Sequence, residues 1–127
     1  MNKTEFLNNV KNKVTDSEYS LIQKALNVFK NNEYCDESMP WGNVRVLLPN
    51  SKVFKGIWNW DTAFHAVGLS YFDIDFAMGH IEAFLKFQSE DGAFPDVVLC
   101  DGRVVTNCTK PPVMAWACQI VYEKGND

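Results

Sequence analysis

The sequence predicts an all-α fold of about five helices, divided by one long irregular stretch over 32–57. Three observations carry this expectation. Apolar residues recur at three- and four-residue spacing in several segments. Three segments of the second half are apolar almost all the way round. Between the two groups, Pro40, Gly42, Pro49, Asn50 and Gly56 interrupt any periodic pattern. With 127 residues, 46% hydrophobic and 13% aromatic, the chain has enough apolar side chain for the core of a single domain spanning 1–127.

The first helix is expected over 4–14, where Phe6, Val10 and Val14 share a face. A second runs over 16–31, with Ile22, Ala25, Leu26 and Phe29 as its stripe and Lys24, Asn27 and Lys30 outside. Thr15 and Glu18 in front of it form a capping-box pattern, in which the hydroxyl accepts from a free backbone N–H and the carboxylate reaches back. Residues 43–48 (NVRVLL) are a candidate short strand inside the irregular stretch. A segment this long without regular structure is uncommon unless it works at a site.

Helices are then expected over 61–70, over 74–88 behind an Asp73 cap, and from Pro112 onward. Proline suits a first turn because its missing N–H has no partner there. The closing EKGND reads as a turn between helices. Only two amphipathic helices are present to cover three that are apolar all round. Either further chain, the remainder of a larger assembly, or a second subunit in a homo-oligomer must supply the cover.

Charge excludes some classes of partner. The net charge is −4 and lysine and arginine are scattered, so neither nucleic acid nor an anionic membrane surface is expected as a partner. The amino terminus is polar, and no apolar run approaches the ~18–20 residues that span a bilayer, so the expected location is cytoplasmic. Cys35, Cys100, Cys108 and Cys118 match neither zinc pairs nor a compact disulfide framework and are read as reduced. No cofactor and no metal is expected, since His65 and His80 fall on different helices without ligand spacing.

If the three apolar helices alternate in direction, those starting at 61 and 112 point the same way. Their amino ends then meet, and the 89–111 loop opens at that end. Trp58, Trp60, Asp61, the DGAFPD segment and TKPP converge on one mouth. Such a mouth suits a carbohydrate. Indole faces stack on the C–H face of a pyranose, and a carboxylate near a helix start can accept from vicinal hydroxyls. His65 follows one turn after Asp61. Each of these residues alone is more often a cap or a packing residue; WNWDTAFH behind a long irregular segment tips the balance toward a site.

The elements GIWNWDTAFHAVGL, FLKFQSEDGAFPD and TKPPVMAWA resemble glycoside hydrolase family 63 and its bacterial mannosylglycerate-hydrolase-like relatives, and more weakly trehalases. The resemblance covers the second half of the chain. It implies an incomplete (α/α)6 toroid, the amino-terminal portion of a barrel with a sugar pocket at one end. It further implies that Trp60 and Asp61 line the glycone subsite with Trp58 nearby. Lys110 stands where relatives carry a substrate-contacting Gln, a departure that favours an anionic group. Asp96 stands where relatives often have another residue.

Inverting enzymes of this kind use two carboxylates roughly 6.5–9.5 Å apart. The resemblance places both in later motifs, so no catalytic residue is assigned among 1–127, and Asp61 is not the general acid. The expectation is an amino-terminal part of an inverting α-glycosidase whose sugar contacts are Trp58, Trp60, Asp61, His65 and Lys110. The alternative is a small helical self-association or interaction module degenerate from such a barrel.

Overall fold

A computed structural model describes residues 3–108 and 110–126 of the chain. Among them are five helices, α1 (Lys3–Lys11), α2 (Asp16–Asn32), α3 (Asn59–Leu69), α4 (Ile74–Leu85) and α5 (Met114–Gly125). The fold is not purely helical. Strands β1 (Glu33–Tyr34) and β2 (Val46–Leu47) pair antiparallel, and β3 (Gly56–Trp58), β4 (Val97–Leu99) and β5 (Val104–Val105) form a second antiparallel sheet. Strand β2 falls inside the candidate strand 43–48; the other strands, of two or three residues, fall below the four- to eight-residue alternation by which strands are recognised.

The helices form for the reasons expected, with shifted ends. The Thr15 hydroxyl accepts from the Glu18 backbone N–H, and the Glu18 carboxylate accepts from the Thr15 backbone N–H at 2.8 Å, so the capping box exists. Only Leu26 of α2 is buried, so α2 is an outer helix. Asp73 caps α4, its carboxylate accepting from the Phe76 N–H. The helix stops at Leu85 rather than 88 because the chain tightens there: the Ser89 N–H donates to the Ala93 carbonyl, and Gly92 takes φ 86°.

At α5 both ends move. Pro111 and Pro112 stay outside, and helical bonding begins when Ala117 donates to the Val113 carbonyl. At the far end Glu123–Gly125 is helical, where a turn was expected. Gln119 donates to the Glu123 carboxylate one turn on, and the Lys124 ammonium lies 4.0 Å from the centre of the Tyr71 ring.

α3 and α5 run side by side in the same direction. Phe64 in the middle of α3 meets Trp116 near the start of α5 edge to face at 5.9 Å, and Tyr71, just past the end of α3, meets Lys124 near the end of α5. α4 runs the opposite way, its Ile74 against Gly125 at the end of α5. Ala63, Ala66, Ala77, Ala83 and Ala117 are fully buried at these contacts, and their small side chains let the helices approach closely. Leu69, Phe76, Ile81, Phe84 and Val121 fill the remaining space.

The irregular stretch has a different role from the one its length suggests. Trp41, Val46, Leu47 and Leu48 are buried at 2% exposure or less and close the core over α3 and α4. The Lys86 ammonium donates to the Trp41 carbonyl at 2.9 Å. This segment is part of the core rather than part of the mouth. Among the described residues, no helix is long and apolar enough to cross a membrane.

Candidate functional site

The mouth is built by the second sheet. β3 passes into α3 without an intervening loop, so the backbone of Trp58 both ends the strand and precedes the first helical turn. β3 pairs with β4, which follows the DGAFPD segment, and β5 leads toward Lys110 and α5. Asn59 is the clasp. Its backbone N–H donates to the Asp96 carbonyl and its side-chain amide donates to the Pro95 carbonyl, both at 2.9 Å. Asp96 is 5% exposed, and its carboxylate accepts from the Cys108 N–H. Asp96 therefore secures the 96–108 loop. Asp91 and Asp101 are exposed turn acids, bonded to Ser89 and Arg103 respectively.

Between these elements lies a cavity of about 460 Å³, lined by Asn59, Phe94, Asp96, Thr106, Asn107 and Lys110 together with the first residues of α5. At its edge the Lys110 ammonium stands 5.9 Å from the centre of the Trp60 ring. Trp60 is 42% exposed, leaving indole face for a ligand. Asp61 lies in the first turn of α3 rather than at its cap. Burial pushes the Asp61 carboxyl above the usual carboxylate range; its own backbone N–H, the Trp60 indole N–H and the positive charge of Lys110 oppose that rise.

The five residues read from sequence do not all meet. Trp60, Asp61 and Lys110 converge. Trp58 turns to Phe54, edge to face at 5.7 Å, with its indole nitrogen buried and without a hydrogen-bond partner among the described residues. His65 turns into the core: its ring donates to the Leu47 carbonyl, lies 6.0 Å from Phe29 and stacks on His80. One helical turn from Asp61 is close in sequence, but the burying partners decide which way the ring points. Thr109, in the TKPP segment, lies outside the described residues.

Sequence reasoning passed over Asn59, Thr106 and Asn107. The signal available for Asn59 was its place between the two tryptophans, directly ahead of Trp60-Asp61; the other two carried none beyond their loop. Among the described residues no group of three or more His, Cys, Asp or Glu side chains is placed to hold a metal ion.

Residues 55–127 match the mannosylglycerate hydrolase MGH1-like glycoside hydrolase domain. The chain belongs to this family. The match takes in β3 to α5, and with them Trp58, Trp60, Asp61, His65 and Lys110, while α1, α2 and the core-closing segment precede it. The glucosylglycerate hydrolase of Mycolicibacterium hassiacum is 26% identical over 94 residues, covering 56% of this chain. The aligned part is 21% of that protein, so the chain spans about a fifth of the length of its curated relative. No solved structure matches the chain. The MGH1-like hydrolase family thus supplies a glycosidase context for a mouth whose walls are a tryptophan, a carboxylate and an ammonium.

Proposed function

We propose that this chain forms the glycone-binding wall of an inverting α-glycosidase of the (α/α)6 type. The observation that carries the reading is the convergence of Trp60, Asp61 and Lys110 beside the 460 Å³ cavity. The exposed indole face takes the C–H surface of a pyranose. The Asp61 carboxylate accepts from hydroxyls, and the Lys110 ammonium donates to an oxygen or to an anionic aglycone. Trp58 acts from behind, setting the path of the chain into α3, and His65 acts through the core.

In this reading the chain binds sugar but does not cleave it alone, because the acid and base lie elsewhere in the complete barrel. Titration of tryptophan fluorescence with glucosylglycerate, the compound named for the relative, tests it. Saturable quenching lost in Trp60→Ala and Asp61→Asn supports the wall; equal quenching in both variants overturns it. Within a complete barrel the same changes raise KM and lower kcat through lost positioning.

A second feature favours a covering partner. Met78 and Tyr122 are 46% and 73% exposed beside a groove of about 280 Å³ between α4 and α5, which Ile81, Cys118 and Val121 also line. The remainder of the barrel is the proposed cover, and a second copy of the chain is the alternative expected of a self-associating module. Sedimentation separates them: a monomer at all concentrations removes the second copy.

A further inference from the structure

A cavity on the α2 side of the molecule has no part in the sugar mouth. It measures about 630 Å³ and lies where α2 faces the end of α3 and the start of α4. Its floor is apolar, made by Leu26, Phe29, Leu69 and Phe72, and its volume lies within the ~300–1,000 Å³ of small-molecule sites. The floor is ordered by ring packing. Phe72 lies 6.2 Å from Phe29 and 5.8 Å from Phe6, and Phe29 presses against Gly68, where an added Cβ would come within 2.8 Å of its ring.

The rim carries three basic side chains, Lys3, Lys30 and Arg45, against two acids, Glu33 and Asp73. Arg45 lies 4.3 Å from the centre of the Phe76 ring and engages both carboxylates of the cavity, Asp73 at 2.8 Å and Glu33 at 3.4 Å. Asp73 is held further by its cap on α4. Both acids are therefore occupied. Lys3 and Lys30 remain, and neither is paired with a carboxylate among the described residues. In a chain of net charge −4, this is an apolar bowl edged by two uncommitted ammonium groups.

We propose that this cavity is a second binding site, for a small amphipathic carboxylate whose aliphatic part lies on the phenylalanine floor and whose head meets Lys3 and Lys30. Burial of the tail supplies the attraction and the lysines supply the selectivity for an anion. A carbohydrate suits it poorly, because the acceptors at its rim are already committed to Arg45 and to the α4 cap. A polyanion suits it no better, since the rim offers two lysines in a chain of net charge −4. The site is independent of the sugar reading, because none of its residues contacts the mouth.

The test uses calorimetry on the protein with decanoate, below its micelle concentration, beside the neutral isostere decan-1-ol. Decanoate is expected to bind more tightly than decanol. The Lys3→Gln/Lys30→Gln double variant should bring the two ligands to equal affinity, with decanoate weakened about fivefold. Lys24→Gln, elsewhere on α2, and Asp61→Asn, in the mouth, should leave both affinities unchanged. Equal affinities in the native protein, no binding of decanoate, or a preference that survives the double variant would each overturn the assignment. Loss of sugar binding in Asp61→Asn with decanoate intact shows that the two sites stand or fall separately.

Discussion

His65 and His80 stack across the α3–α4 interface with ring centroids 5.8 Å apart and planes 27° from parallel. Burial drives both imidazoles to the neutral form, lowering His65 to about 4 and His80 to about 3, where the neighbouring His65 adds to the effect. In the unfolded chain both return to about 6.5. Above that value neither state holds the extra proton and the pair makes no pH-dependent contribution. Below it the unfolded state binds protons that the folded state refuses, so stability falls as pH falls. Urea denaturation should show a loss of about 1.4 kcal/mol per pH unit for each histidine between pH 6.5 and about 4. A flat profile across that window would refute the neutral buried pair.

Among the described residues, neither ring nitrogen of His80 has a hydrogen-bond partner, although the side chain is fully buried. Replacing an unpaired buried polar group by an apolar one of similar size costs little. His80→Leu should therefore stay within about 1 kcal/mol of the native protein at pH 7.5 and halve the slope just described. Destabilisation well beyond that at neutral pH would mean that the ring has a partner of consequence.

Gly56 and Gly68 should answer to alanine in different ways. A Cβ at Gly56 would lie 2.6 Å from the Val98 carbonyl oxygen and 3.1 Å from the Leu99 Cα, both backbone atoms of the paired strand. The strands must part, and a loss of about 1–3 kcal/mol is expected. At Gly68 the obstacle is the tip of the Phe29 ring, which can move. Alanine also gains about 1 kcal/mol of helix propensity there, so the net change should be small. Thermal melts of the two variants decide the ordering, and a larger loss at Gly68 would contradict it.

Thr15→Ala removes one half of the capping box and leaves the N–H of Glu18 without its acceptor. A loss of about 1 kcal/mol is expected. Because α2 is an outer helix, amide exchange should quicken first around residues 16–19. Unchanged exchange there would show that the cap contributes nothing measurable.

Lys110→Gln replaces the ammonium by a neutral amide of similar reach. Removing the ammonium takes away an influence that lowers the Asp61 carboxyl, so that carboxyl should titrate higher than in the native protein. Carbon-13 chemical shifts of the aspartate side chain report it directly. The same variant should lose affinity for an anionic glycoside while keeping that for the neutral sugar. Parallel loss of both would place Lys110 on the sugar ring instead.

Much of this architecture is legible in sequence because it depends on short-range rules. The Thr15–Glu18 box, the Asp73 cap and the three- and four-residue spacing of apolar side chains each rest on residues within four positions of one another. What was illegible depends on distant partners. Gly56-Ile57-Trp58 becomes a strand only because Val97–Leu99 arrives beside it. Trp41 looks like loop, and the candidate strand over 43–48 looks partnerless, until Glu33–Tyr34 pairs with it and α4 offers a surface. The same holds at the mouth: WNWD announced Trp60 and Asp61, but only the fold turns His65 away toward His80 and brings Lys110 across to Trp60.

The clasp made by Asn59 has a consequence for how a ligand would be received. Two hydrogen bonds tie the start of α3 to Pro95 and Asp96, and β3 enters the helix with no hinge between them. The indole and carboxylate therefore stand on backbone that is fixed before any ligand comes, like a jaw clamped to the bench. On the proposed reading, a sugar entering the mouth would not have to order this wall. Its affinity there would then be set by how readily the indole face and the carboxylate release their water.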